Sequence, residues 1–130
     1  MLTDSPLVAF IATTNLERAH AFYGHRLGLR RVEASAYANA YDASGTQLRV
    51  TLVDRLVPAA YTVLGWNVAQ IHDAVAGLRS RGIVFERYDN LDQDDAGVWV
   101  APSGAAVAWF RDHDGNVLSL TQSPDESRAA

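Results

Sequence analysis

Apolar and polar positions follow the same order twice along this chain, and each order predicts one set of secondary-structure elements. In the first half, short apolar and β-branched runs flank a segment whose apolar positions recur every three or four residues, which is typical of an amphipathic helix. Asn15 is the expected N-cap of this helix, and Gly28, which takes a positive φ without strain, is its expected end. The predicted strand, helix and three strands lie at Leu7 to Thr13, Leu16 to Leu27, Leu29 to Ala34, Tyr37 to Asp42 and Gln47 to Val53.

The order begins again after Pro58, the one linker-like break in the chain. Here the pattern predicts a strand, a helix that ends at Gly82, another strand and a final hairpin. The segment from Asp89 to Gly104 is polar, and we expect a mobile flap with one short strand at Val98-Trp99-Val100. The other predicted elements lie at Tyr61 to Val68, Gln70 to Arg81, Ile83 to Tyr88, Ala105 to Arg111 and Asn116 to Thr121.

The two helical segments also align by letter, LERAHAFYGHRLG with IHDAVAGLRSRG. A βαβββ unit cannot cover both faces of its own sheet, so two such units must cooperate to build a core. The predicted fold is therefore α+β: two βαβββ modules form one curved mixed sheet around a cleft, with one helix packed outside each module. A single domain spans 1–130, with module one at 1–57, module two at 58–122 and a polar, disordered tail at 123–130.

Composition narrows the classes of function. The chain has 130 residues, 48% of them hydrophobic, which suffices for one buried core. Its net charge of -4 and its scattered arginines lack the basic stripe of a nucleic-acid or anionic-membrane surface. No apolar run could cross a membrane, and Met1 to Pro6 is unlike a signal peptide, so a cytoplasmic protein is expected. The absence of cysteine and lysine excludes thiolate and Schiff-base chemistry.

The stretch WFRDHDGNVLSL, from Trp109 to Leu120, reads as a hairpin whose turn is Asp112 to Asn116. It resembles the closing hairpin of the vicinal oxygen chelate superfamily, which includes glyoxalase I, bleomycin resistance proteins and extradiol dioxygenases. Members commonly carry an aromatic residue, then Asp-Pro-Asp-Gly-Asn, then a strand with a metal-binding Glu. Here His113 replaces the Pro and Ser119 stands at the position of the Glu. The resemblance covers nearly the whole chain and implies the paired βαβββ architecture and a homodimer.

The resemblance also implies where an inherited metal site would lie. Its ligands would fall on the first and last strands of each module, at Val8 and Arg49 and at Val63 and Ser119. A divalent ion needs carboxylate or neutral imidazole donors, which this set lacks. We therefore predict no metal and no cofactor at these positions.

The four histidines give no other metal site by spacing. His20 and His25 are five apart, not the three or four that place two residues on one face of a helix. His72 is expected to be an exposed residue in a helix first turn. The segment Asp112 to Gly115 resembles part of a calcium loop but lacks the later Glu, so a hairpin turn is the preferred interpretation.

Strand alternation defines the predicted ligand-binding surface, which is apolar and aromatic with few polar groups, as small-molecule sites usually are. Phe10 and Trp109 would serve equally well as core or dimer-interface residues. Arg49 is expected to meet either a ligand carboxylate or phosphate, or an internal partner such as Asp42. The predicted ligand-binding residues are Val8, Phe10, Arg49, Thr51, Val63, Asn67, Trp109 and Ser119.

These features favour a metal-independent small-molecule-binding protein, similar in kind to bleomycin resistance proteins, that holds an aromatic or anionic ligand. The alternative is a lyase, isomerase or dioxygenase of the same superfamily that works without the inherited metal or with a rebuilt site. Its catalytic residues are not identifiable by spacing, although Arg49 could polarise an oxyanion while Tyr37 or Tyr41 moves a proton.

Overall fold

The computed structural model describes residues 1–124. Residues 125–130, most of the predicted polar tail, lie outside the described part. The backbone forms two compact units, one over residues 1–58 and a second that begins at residue 59. Each unit contains one helix and one four-stranded mixed sheet, which confirms the α+β class and the two βαβββ modules.

In the first unit, the strands take the order β1-β4-β3-β2, with β1 and β4 parallel and the other pairs antiparallel. Helix α1 continues without interruption into a π-helix, in which the backbone bonds span five residues instead of four. The elements are β1 (Val8–Thr13), α1 (Leu16–Ala19), the π-helix (His20–Arg26), β2 (Arg30–Ala34), β3 (Ala38–Ala43) and β4 (Thr46–Leu52).

The start and end signals of this helix are confirmed. The Oδ1 of Asn15 accepts a hydrogen bond from the backbone N–H of Arg18 at 3.0 Å, and Gly28 has a φ of 74°. The π-helical turn was not predicted. Its last bond runs from the N–H of Leu27 to the carbonyl of Phe22 at 2.9 Å.

One face of the first sheet is covered by this helical segment. Tyr41 and Leu48 face each other across β3 and β4, and both are fully buried. The amide of Asn39 on the same face donates to the carbonyl of Leu16 at 3.1 Å, which ties the sheet to the helix start. We call the other face of each sheet, which points away from the helix of its unit, the open face.

In the second unit, the strand order β5-β8-β7-β6 repeats the order of the first, again with the parallel pair between first and last strands. Ile71 and Val75 of the helix are buried, as are Phe110, Leu118 and Leu120 of the strands. The elements are β5 (Thr62–Asn67), α2 (Ile71–Ser80), β6 (Trp99–Val100), β7 (Ala106–Arg111) and β8 (Val117–Gln122).

The strand predicted from Ile83 to Tyr88 is wrong. This segment makes one isolated bridge, between Phe85 and Phe110, and the two-residue β6 takes the corresponding place in the sheet. The reason lies in Gln93, whose side chain accepts from the N–H of Tyr88 at 2.7 Å and donates to the carbonyl of Glu86 at 3.0 Å. An amide side chain thus satisfies backbone groups that a neighbouring strand would otherwise pair.

Within residues 1–124, neither helix has the length and apolar character required to cross a membrane.

Candidate functional site

Four of the predicted ligand-binding residues lie on the open face of the first sheet. Val8 and Phe10 project from β1 and are 39% and 65% exposed. Arg49 pairs in register with Phe10, and Thr51 with Ala12, so that β4 continues the same surface. The side chain of Arg49 retains 30% of its exposure. This surface offers apolar contacts beside one guanidinium.

Arg49 has an internal carboxylate partner, but it is Glu33 and not Asp42. The Nη1 of Arg49 lies 3.2 Å from the Oε2 of Glu33, whose side chain is 55% exposed. A register shift in β2 places Glu33 opposite Ala40 of β3, and Ala40 in turn pairs with Arg49 of β4. Asp42 is engaged at the strand end, where it pairs with Arg30 at 3.4 Å.

The other four predicted residues belong to β5, β7 and β8. Ser119 pairs in register with Trp109 on one side and with Gly65 on the other, and it is 7% exposed. Asn67 lies two residues beyond Gly65 on the same open face and is exposed, and Val63, 42% exposed, lies at a register shift between Thr62 and Leu64. Trp109 is half-buried.

The absence of a side chain at Gly65 leaves room for the hydroxyl of Ser119. A Cβ at Gly65 would lie 2.9 Å from the Oγ of Ser119 and 3.2 Å from its carbonyl oxygen. A larger residue at this position would therefore require the serine hydroxyl to move.

Trp109 is the centre of an aromatic cluster that the sequence did not reveal, formed by Tyr88, Trp99 and Trp109. The ring centroid of Trp109 lies 5.4 Å from that of Tyr88, edge to face, and 6.1 Å from that of Trp99. Trp99 pairs with Val107, two residues before Trp109, which places both tryptophans on the open face. Burial and the nearby Glu86 carboxylate raise the pKa of Tyr88, against a smaller lowering by Arg111, so its hydroxyl stays protonated at neutral pH.

A signal for Trp99 was present in the sequence. The apolar run Val98-Trp99-Val100 was predicted as a short strand, and its pairing with β7 would have joined the two tryptophans. Tyr88 carried no such signal, because its contact depends on the turn that Gln93 holds in place.

The four positions at which the resemblance implies metal ligands carry no carboxylate and no imidazole. Val8 and Val63 have no side-chain donor atom, and Arg49 already pairs with Glu33. Over residues 1–124, the one group of three potential ligands is Asp112, His113 and Asp114, whose donor atoms lie within 4.8 Å of one another. This group belongs to the β7–β8 turn and not to the inherited strand positions.

The turn uses much of this donor set for its own structure. The Oδ1 of Asp112 accepts from the N–H groups of Asp114 and Asn116 at 2.9 and 3.0 Å, and its Oδ2 accepts from the side-chain amide of Asn116 at 2.9 Å. The Nε2 of His113 lies 2.7 Å from the Oδ2 of Asp114. These bonds confirm the predicted hairpin turn.

The spacing argument against His20 and His25 is wrong. Their ring centroids are 4.8 Å apart, because the π-helix returns to the same side after about one more residue than an α-helix. His72 is exposed, as expected, and its Nε2 lies 2.8 Å from the Oδ2 of Asp94.

The suggested pairing of Arg49 with Tyr41 in an enzyme is also wrong. Tyr41 is opposite Leu48 in the ladder and Arg49 is opposite Ala40, so the two side chains lie on opposite faces of the sheet. The hydroxyl of Tyr41 instead lies 2.9 Å from the Nδ1 of His20.

Solved structures show which fold these units form. No protein-family model and no curated protein matches the sequence. A glyoxalase/bleomycin resistance protein/dioxygenase superfamily member from Sphaerobacter thermophilus is similar at 23% identity, with a TM-score of 0.72 over 95% of this chain and 100% of that chain. Lactoylglutathione lyase from Agrobacterium tumefaciens is similar at 15% identity, with a TM-score of 0.68 over 94% and 96%.

The fosfomycin resistance protein FosX from Listeria monocytogenes is similar at 11% identity, with a TM-score of 0.72 over 96% of this chain and 98% of that chain. At these identities the likeness establishes the fold. The chain therefore has the vicinal oxygen chelate fold, as its closing hairpin predicted.

Proposed function

We propose that this chain is a member of the glyoxalase/bleomycin resistance/dioxygenase superfamily that binds a small aromatic molecule without a metal ion. The observation that carries the proposal is the cluster of Tyr88, Trp99 and Trp109 on the open face of the second sheet. All three side chains are half-buried, so they are held in place yet keep ring surface that a ligand can contact.

The chemistry of this surface favours a planar ligand. Stacked or edge-to-face aromatic pairs contribute about 0.5–1.5 kcal/mol beyond the burial of their area. Ser119 is the register partner of Trp109 and provides a hydroxyl that can donate or accept one hydrogen bond at the edge of such a ligand. Tyr88 adds a second, protonated hydroxyl.

An anion-binding surface on the first unit is the second part of the proposal. Arg49 uses Nη1 for the exposed Glu33 carboxylate, while a guanidinium carries five N–H donors in a fork. Arg49 therefore keeps donors for a carboxylate or phosphate that reaches the open face of the first sheet.

The test is a titration with aromatic carboxylates, followed by tryptophan fluorescence and calorimetry in the presence of EDTA. Trp66 lies on the helix-covered side against Phe110, at 6.4 Å between ring centroids, so Trp66→Phe isolates the signal of the other two tryptophans. We expect quenching in the Trp66→Phe protein and its loss on further Trp109→Leu. If no aromatic acid binds the parent at millimolar concentration, the proposal fails.

The alternative function is a superfamily enzyme with a rebuilt metal site, and one observation favours it: the donor group Asp112, His113 and Asp114. Against it, the Asp112 carboxylate already accepts three hydrogen bonds of the turn. Zinc or manganese binding that is lost in Asp114→Asn, together with metal-dependent turnover of an aromatic substrate, would support the enzyme.

A homodimer is also proposed. Strands β1 and β5 lie at sheet edges, and within residues 1–124 each of them pairs with a strand on one side only. The apolar side chains at the β1 edge are exposed, with Leu7 at 75% and Phe10 at 65%. A second copy of the chain would cover both features at once.

A further inference from the structure

The π-helix brings together two histidines that an α-helix would separate. In an α-helix, residues five apart lie about 140° apart around the axis. In the π-helical segment, the rings of His20 and His25 meet edge to face, with centroids 4.8 Å apart and planes at 63°. Such π-helical turns are rare and occur frequently at functional sites.

The ring of His20 is held from two sides. Its Nδ1 lies 2.9 Å from the hydroxyl of the fully buried Tyr41, and the two rings are stacked with centroids 5.9 Å apart. On the other side the ring rests against Gly24, where a Cβ would lie 2.4 Å from its Cε1 and 2.5 Å from its Nδ1. The orientation of His20 is thus fixed before any ligand binds.

The surroundings of His20 favour its neutral form. Burial lowers the pKa of His20, and the nearby Arg31 and His25 lower it further. A neutral imidazole can donate through Nδ1 to the Tyr41 oxygen and present a lone pair on Nε2, which is how an outer hydroxyl orients a metal ligand. His25 is exposed, so a small ion in solvent can reach the pair.

We propose that His20 and His25 bind one divalent transition metal ion, with water completing its coordination. Imidazole nitrogens bind such an ion at about 2.1 Å, which places each ring centre about 3.2 Å from it and the two centres at most about 6.4 Å apart. The observed 4.8 Å lies within that limit. Two imidazoles without a carboxylate select late metals, so affinity should fall in the order Cu²⁺, Ni²⁺, Co²⁺.

This site and the proposed aromatic-ligand surface share no residue. His20 lies on the helix side of the first sheet with Tyr41, whereas the aromatic cluster belongs to the open face of the second. Either proposal can therefore fail without the other.

The experiment is calorimetric titration of the tag-free protein with Ni²⁺ and Cu²⁺ at pH 7.5 in a buffer that does not bind metals. We expect one ion per chain and an affinity loss of at least about tenfold in His20→Ala and in His25→Ala, since even loss of an outer partner costs that much. His72→Ala, which removes an exposed helical histidine paired with Asp94, should bind like the parent. Asp114→Asn should also bind like the parent and thereby excludes the β7–β8 turn.

Two further variants test whether Ni²⁺ binding depends on the orientation of the His20 ring or only on the presence of two histidines. Gly24→Ala keeps both histidines but places a Cβ in the space of the His20 ring, and Tyr41→Phe removes the orienting hydroxyl. Both should weaken Ni²⁺ binding about tenfold. If His20→Ala or Tyr41→Phe unfolds the protein, the His25→Ala variant tests the proposal, because His25 is exposed. The proposal is overturned if the parent binds neither Ni²⁺ nor Cu²⁺. It is also overturned if His25→Ala binds like the parent, or if Asp114→Asn abolishes binding.

Discussion

At the scale of single residues, two helical glycines show how surroundings decide the effect of the same change. A Cβ at Gly77 of α2 would meet nothing within 4 Å, whereas a Cβ at Gly24 would collide with the ring of His20 at 2.4 Å. Helix propensity favours alanine over glycine at both positions. The place of the His20 ring therefore depends on the absence of a side chain at Gly24.

The first prediction compares Gly77→Ala with Gly24→Ala. Gly77→Ala should raise the free energy of unfolding by about 0.5–1 kcal/mol, the usual difference in helix propensity. Gly24→Ala should lose this gain, because the His20 ring must leave its place beside Tyr41. Urea denaturation measures both, and equal effects of the two changes would show that the His20 contact has no energetic importance.

The second prediction concerns the pair of Arg49 and Glu33. Both side chains are partly exposed, so Arg49→Ala should change the free energy of unfolding by no more than about 1 kcal/mol. Glu33→Gln should strengthen binding of an aromatic carboxylate, because it frees the guanidinium, and should leave a neutral aromatic compound unaffected. Arg49→Lys should bind the aromatic carboxylate more weakly than the parent protein, since the lysine ammonium lacks the parallel N–H donors of a guanidinium. Asp42→Asn, on the neighbouring pair, is the matched control.

At the scale of elements, the segment between α2 and β7 is held by side chains in place of a strand ladder. The Gln93 amide bonds to Tyr88, Glu86 and Gly97, and the Nη1 of Arg87 donates to the carbonyl of Asp94 at 2.6 Å. These bonds lie in and beside the segment for which the polar composition predicted a mobile flap. They also position Tyr88 against Trp109.

The third prediction is that Gln93→Ala loosens this segment. Three hydrogen bonds are lost and backbone groups lose their partner, which should lower the free energy of unfolding by about 1–3 kcal/mol. Amide exchange at Tyr88 should accelerate, while exchange in β8 stays slow. Gln47→Ala, on β4 of the other unit, is the control. Unchanged exchange at Tyr88 would contradict the role given to Gln93.

The fourth prediction uses Asp94, which joins the same segment to α2. Burial alone would raise the pKa of Asp94, but hydrogen bonds from His72, Val98 and Ala96 outweigh it and lower the pKa below 3.8. Its stabilising contribution is therefore complete above 3.8 and is lost as the pH falls through the lower, folded value. Asp94→Asn should flatten the acid side of a plot of melting temperature against pH, and the exposed Asp92→Asn should not.

At the scale of the whole molecule, the fifth prediction is that the chain forms a homodimer in solution. Light scattering at micromolar concentration should return twice the chain mass. Phe10→Asp, which places a charge at the exposed β1 edge, should shift the mass toward the monomer, while Val84→Asp, at an even more exposed apolar position in the other unit, should not. A monomer mass for the parent protein would refute the dimer.

The sequence by itself determined the elements that depend on local chemistry. The N-cap Asn15, the stop at Gly28, the Asp112 turn and the alternation along β1, β4, β7 and β8 are all as predicted. Their causes lie within a few residues of the chain: a short polar side chain that caps, a glycine at positive φ, and the two-residue period of a strand. The repeat of this local order predicted the two modules, and the resemblance of the closing hairpin predicted the fold.

Only the tertiary structure decided which side chains meet. The pairing of Arg49 with Glu33 depends on a register shift in β2. The absence of a strand at Ile83 to Tyr88 depends on the side-chain amide of Gln93, ten residues after Ile83. The aromatic cluster depends on the pairing of β6 with β7. The contact of His20 with His25 depends on a helix type that the usual period of 3.6 residues does not anticipate. Such contacts depend on packing across the fold, and packing is a property of the assembled chain and not of any stretch of its letters.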